Sequence, residues 1–156
     1  MMFTHLNNNG SAYMVDVTHK QVSVRSATAV GEVICSPTVL EALTNGTVPK
    51  GDVVACARIA GISAAKKVPD LLPLAHTIGV HGCEVIIEIA DDRVRLKATV
   101  RTADRTGVEM EALTAVSVAA LTIIDMVKGV DRSAYISRCG IVAKSGGRSG
   151  DWSREL

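Results

Sequence analysis

Asp125 and Lys128 stand three residues apart near the end of Gly107 to Lys128, the longest apolar run of the chain. On a helix that spacing sets a carboxylate beside an amine, a pair suited to general acid/base work. Glu111 precedes Asp125 by fourteen residues. At about 100° per residue, Thr114, Thr122, Asp125 and Gly129 all fall within roughly 60° of Glu111, so one face is polar. The rest of the circumference is apolar, which predicts a helix packed on most sides with its carboxylates close to low-dielectric material. The rise puts Glu111 and Asp125 roughly 21 Å apart, too far for both to touch one small reacting centre in one subunit. Either the ligand is long or two subunits share the site. A carboxylate neighbour raises a lysine's pKa, whereas a base needs it lowered; a further cation such as Lys50 beside Lys128 resolves that tension.

Lys20, Arg25, Lys50, Lys66, Lys67, Lys128, Lys144 and Arg148 fall at element ends and turns, where they could converge on phosphate. Lys50-Gly51-Asp52 opens a helix, so free backbone N–H groups lie near the amine. The Gly-rich tail from Lys144 lacks the spacing of a P-loop. His76 sits in a loop fixed by Pro69 and Pro73. Its spacing from His81 is a weak metal pair, and no metal site is expected.

These groups need elements to hold them. With 156 residues, 47% hydrophobic and 21% charged, the chain suits one globular domain. It divides into a flexible start over 1–13, a domain over 14–144 and a Gly-rich basic tail over 145–156. Alternation predicts a strand from Val22 to Ile34, and strands over 80–89 and 93–103 joined at Asp91-Asp92. Ser36-Pro37 starts a helix over about 37–44 that stops at Asn45-Gly46. Asp52 caps a second helix to about Lys67, ended by Pro69 and a two-proline loop. The apolar run gives a helix over about 108–130, followed by a strand over 134–142. This order fits the split βαβ plan: an α+β, ferredoxin-like fold with a four-stranded antiparallel sheet and helices on one face. The other face and the small residues of the 52–67 helix point to self-association.

A net charge of +1 with one Phe, two Tyr and one Trp gives no reason to expect nucleic acid. Cys35, Cys56, Cys83 and Cys139 form no C-x-x-C pair, so buried free thiols are expected. The first nine residues lack the pattern of a signal peptide. The apolar part of the long helix, Ala112 to Ile124, is short of the ~20 residues that cross a bilayer. A cytoplasmic protein without a membrane partner is expected.

Met14-Val15-Asp16-Val17, Lys50-Gly51-Asp52-Val53, Ala57-Arg58-Ile59-Ala60-Gly61-Ile62, the block Arg105 to Ala115 and Lys144-Ser145-Gly146-Gly147 together resemble the MoaC family of molybdenum cofactor biosynthesis, the cyclic pyranopterin monophosphate synthases. The resemblance covers nearly the whole chain. It implies a homohexamer built as a trimer of dimers, with active sites at subunit interfaces. The substrate it implies is a 3′,8-cyclised dihydro-GTP, rearranged to the pyranopterin with a cyclic phosphate and loss of pyrophosphate. On the matching positions, Asp125, Lys128 and Lys50 are the catalytic candidates. The substrate-binding candidates are Asp16, Lys20, Arg25, Leu74, Ala75, His76, Glu109, Met110, Glu111 and Lys144. No cofactor is implied, Mg²⁺ carried by the triphosphate being the one ion this chemistry would admit. The chain departs where the family has Leu-Cys-His-Pro, reading Leu74-Ala75-His76-Thr77, and losing the Pro should loosen the loop. A weakened paralogue that only binds a purine nucleotide is therefore the alternative.

Overall fold

The computed structural model describes residues 5–156; residues 1–4 of the start expected to be flexible lie outside them. From residue 5 to 13 the chain turns back on itself: Asn7 Oδ1 accepts from the N–H groups of Asn9 and Ser11, and Tyr13 N donates to His5 O. Strand β1 (Ser23–Ile34) is followed by helices α1 (Pro37–Asn45), α2 (Val53–Ala65) and α3 (Val68–Leu71). Strands β2 (Gly82–Ile89) and β3 (Val94–Asp104) then form a hairpin, α4 (Glu109–Val127) crosses back, and β4 (Tyr135–Ser145) and β5 (Trp152–Ser153) finish the chain.

The helix starts follow from local chemistry. Ser36 Oγ accepts from Val39 N with Pro37 in the first turn, and Asp52 Oδ1 accepts from Ala55 N at 2.9 Å. Each satisfies a backbone donor that the helix itself leaves free. The two-proline loop differs from expectation: Pro69 lies in the one-turn helix α3, whose first turn has no use for the N–H that proline lacks.

The sheet is antiparallel with order β2-β3-β1-β4-β5, so its first four strands have the ferredoxin-like arrangement. The fifth comes from the tail. Gly146, Gly147 and Gly150 take positive φ, and Gly146 N donates to Asp151 Oδ1 at 2.8 Å. The chain thus reverses, and Trp152 pairs with Lys144. Glycine content that reads as looseness in sequence is what permits this reversal. β5 covers the outer edge of β4, while Arg58 Nε donates to Val85 O on the opposite edge, so both edges are partly closed to other strands.

One sheet face carries Ala27, Ala29, Val33, Val85, Leu96, Ala98 and Val100, all buried, and α2 and α4 lie on it. α4 buries Ala112, Ala115, Val116, Ala119, Ala120, Ile123 and Val127. Although α4 has the length and hydropathy of a membrane span, this stripe lies against its own sheet. Gly61 lets α2 come close: a Cβ there would lie 2.8 Å from Ala115 O and 3.3 Å from Ala119 Cβ. At the exit of α4, Asp131 accepts from Ser36 N at 2.7 Å and from Ser133, joining α4 to α1. The Ser133 hydroxyl first, then the Ser36 N–H, hold its carboxyl below the usual range. All four cysteines are free, but only Cys35 is buried and Cys83 half-buried; Cys56 and Cys139 are exposed, Cys139 Sγ lying 3.5 Å from Ser117 Oγ of α4.

Candidate active site

A cleft of about 640 Å³ opens beside the first turn of α4. Its walls come from three places far apart in sequence: Val15, Val17 and Lys20 of the N-terminal arm, Leu72 to His76 after α3, and Thr106, Gly107, Glu109, Met110 and Glu111. The β3–α4 turn is held by Asp104, whose Oδ1 accepts from Arg105 N at 2.7 Å and Oδ2 from Gly79 N at 3.3 Å. That pair of bonds ties the histidine loop to the start of α4.

Glu111 is 4% exposed, with its carboxyl pushed up to about 7, first by burial and then by the charge of Glu109. Near neutral pH it is therefore a ready proton donor or acceptor. His76 Nε2 meets the Val15 carbonyl at 2.5 Å. A carbonyl only accepts, so Nε2 is the donor in this bond, and in the neutral ring that leaves the lone pair on Nδ1. Glu109 accepts from Lys144 Nζ at 3.1 Å, and Lys144 also reaches Ser149 Oγ at 2.7 Å. Gly107 leaves room for the Glu109 carboxylate, which a Cβ there would overlap.

Lys20, Leu74, Ala75, His76, Glu109, Met110 and Glu111 thus share one cleft, with Lys144 joined to it through Glu109. Asp16 lies between the lining residues Val15 and Val17. Its Oδ1 accepts from Thr18 N at 2.8 Å, and the Thr18 hydroxyl contributes most to lowering its pKa. Arg25 is a bracket: Nε donates to Asp104 O at 3.1 Å and Nη2 to Arg105 O at 3.3 Å. Arg105 Nε in turn donates to Lys20 O. Val15, Val17, Leu72, Pro73, Thr106 and Gly107 join the cleft without having been singled out as site residues, although the motifs around Met14 to Val17 and Arg105 to Ala115 contain four of them.

Lys50, Asp125 and Lys128 form a separate constellation at the other end of α4. Lys128 Nζ lies 2.6 Å from Asp125 Oδ1; Lys50 Nζ donates to Asp125 O at 2.9 Å and lies 3.4 Å from Oδ2. The hydrogen bond from Lys128, followed by its charge and that of Lys50, holds the Asp125 carboxyl below its usual range. The expectation that Asp125 sits against low-dielectric material is corrected: its side chain is 58% exposed and that of Lys128 59%. The helix period gave its angle rightly, but the last turn projects past the sheet. Among the described residues no three His, Cys, Asp or Glu side chains cluster as metal ligands.

An α+β scaffold that sets a protonatable carboxyl and a histidine in a nucleotide-sized cleft, with a carboxylate between two lysines at the far end of the same helix, has the features of an enzyme acting on a small molecule. The MoaC family's sequence profile matches residues 14–147, and the chain belongs to that family. A protein of Streptomyces griseus is 60% identical over 151 residues, covering 97% of this chain and 85% of the relative. One from a Nocardioides species is 54% identical over 154 residues, covering 97% and 94%. Both are named cyclic pyranopterin monophosphate synthase. A Mycobacterium tuberculosis protein, 53% identical over 155 residues with 99% and 91% covered, is named cyclic pyranopterin monophosphate synthase 1.

Proposed function

We propose that this chain is a cyclic pyranopterin monophosphate synthase, a lyase that converts a 3′,8-cyclised dihydro-GTP into the cyclic pyranopterin monophosphate and releases pyrophosphate. The observation that carries the reading is the match to relatives of that name over nearly the full length of both chains. The cleft supports it, because a buried carboxyl and a histidine held by the Val15 carbonyl suit the base and ribose region of such a substrate.

In the phosphate step, a hydroxyl oxygen of the substrate bonds to the α-phosphorus and the bond to pyrophosphate breaks. The hydroxyl proton passes to a base, and cations offset the charge that collects on the leaving oxygens. Asp125 and Lys128 take the proton-transfer roles and Lys50 steadies them. Lys20 and Lys144 hold phosphates, with Arg25 acting on the turn beside them. The reading needs no cofactor, Mg²⁺ entering only with the triphosphate.

Glu111 and Asp125 lie at opposite ends of α4, so one chain does not gather all these groups around one small reacting centre. A homohexamer built as a trimer of dimers resolves this, one subunit's Lys50, Asp125 and Lys128 completing the cleft of another. The protein then acts in the cytoplasm, with neither nucleic acid nor membrane as partner. Pyrophosphate release from the cyclised nucleotide tests the activity. Tight binding of that nucleotide without release would select the paralogue that only binds.

A further inference from the structure

The loop that carries His76 is gripped at a second point, away from its ring, by residues outside the cleft wall. Among the described residues, the backbone hydrogen bonds of segment 76–80 all fall on Gly79. Its carbonyl accepts from Thr102 Oγ1 at 2.5 Å, and its N–H donates to Asp104 Oδ2 at 3.3 Å. Both partners stand at the end of β3, and Thr102 is 2% exposed.

His81 closes this clamp. Its ring lies over Gly79, where a Cβ would stand 3.1 Å from Cε1, and its Nδ1 accepts from Ala103 N at 3.3 Å. Thr102 Oγ1 also lies 3.2 Å from that Nδ1. A hydroxyl has one proton to donate and a carbonyl only accepts, so the Thr102 proton goes to Gly79 O and leaves Nδ1 to the Ala103 N–H. On the other side, Asp104 Oδ1 accepts from Arg105 N at 2.7 Å, in the turn that leads to α4. One carboxylate therefore spans the histidine loop and the segment that delivers Glu111.

We infer that Thr102 and Asp104 are positioning residues: through Gly79 they set where His76 stands in the cleft relative to Glu111. The placement rests on this geometry; the rate it predicts rests on the proposed function. With Gly79 released, the chain beyond His76 would next be held where His81 N joins Arg101 O, and the ring would depend on its bond to the Val15 carbonyl. A displacement of about 1 Å at such a group costs up to about 10²-fold in rate.

The test reads the His76 ring itself. The chain has four histidines, so the imidazole ¹⁵N signals of the labelled protein can be assigned with single His→Gln variants. Thr102→Val keeps the side-chain shape and removes the hydroxyl. It and Asp104→Ala should each shift or broaden the His76 signals and lower kcat/KM for pyrophosphate release by roughly 10- to 100-fold, whereas Thr102→Ser should preserve both. Asp104 is only half-buried, so its variant keeps the test if loss of the buried hydroxyl unfolds the chain. Thr77 N–H makes no hydrogen bond among the described residues, so Thr77→Pro removes none and stiffens the loop from within; added to Thr102→Val it should regain most of the lost rate.

His76 signals that stay unchanged in both variants overturn the clamp. Signals that move while the rate holds overturn the positioning role, as does a loss that Thr77→Pro leaves in place although Thr77→Pro alone is active. A wild type that releases no pyrophosphate overturns the proposed function instead, and the ring signals still decide the clamp.

Discussion

Glu111 and Asp125 share one face of α4, about four turns apart, in opposite surroundings. Glu111 is buried with its carboxyl pushed up to about 7; Asp125 is exposed and held low by Lys128 and Lys50. One helix therefore presents a group that exchanges its proton near neutrality at one end and a fixed negative charge between two amines at the other. These are complementary tools: the first can give or take a proton near neutrality, the second is an ionised carboxylate that can accept one and pass it on with its lysine neighbour.

The raised Glu111 carboxyl makes stability depend on pH. Its folded pKa of about 7 lies above the ordinary 4.5, so the folded state holds the proton more tightly. The associated stability is full below about 4.5 and is lost as pH rises through about 7. Glu111→Gln cannot ionise and should escape that loss. Thermal melts from pH 4 to 8 should diverge across this window, the variant gaining on the order of 3 kcal/mol relative to wild type by pH 8. Parallel melting profiles would show that the carboxyl titrates normally.

Asp125→Asn and Lys128→Ala should each lower turnover by roughly 10²- to 10⁴-fold, the range for loss of a proton-transfer group. The melting temperature should stay where it is, because the pair is solvated on its outer side and such pairs hold little of a fold together. Steady-state pyrophosphate release beside a melting curve checks both. A marked fall in melting temperature would make the pair structural.

The polar stripe of α4, the helix caps at Ser36 and Asp52 and the four main strands were legible because each depends on residues within a turn or an alternation of its neighbours. The exposure of Asp125 was not: the helix period fixes an angle, while the end of the sheet decides what covers it. Arg25 reads as a phosphate ligand until its acceptors are known, and these carbonyls lie 79 and 80 residues away. The fifth strand escaped because two residues carry no period and their pairing depends on the Gly146 to Asp151 reversal. The cleft itself is a meeting of three distant segments, of which the family motifs marked the residues but not the contacts.

Gly61→Ala tests the close approach of α2 and α4. The added Cβ would stand 2.8 Å from Ala115 O, a backbone atom of a buried helix that cannot swing aside. The helices must separate, costing about 1–3 kcal/mol as overpacking of a tight interior does, despite alanine's better helix propensity. Denaturant unfolding of the variant should show a lowered midpoint. A raised midpoint would mean that the helix pair has slack.

The shared site predicts rescue between two defective chains. Lys128→Ala spoils the far end of α4 and Glu111→Gln the cleft end, so each variant alone should release little pyrophosphate. In an assembly containing both, one kind of interface joins the intact Glu111 of the Lys128→Ala chain to the intact Lys128 of the Glu111→Gln chain. That interface holds every group, while its symmetry mate holds both defects. Co-expressed chains carrying different affinity tags and purified through both should therefore recover part of the wild-type rate. If each chain instead served its own substrate with both ends of its own helix, every site would keep one defect and the mixed assembly would stay as inactive as its parents.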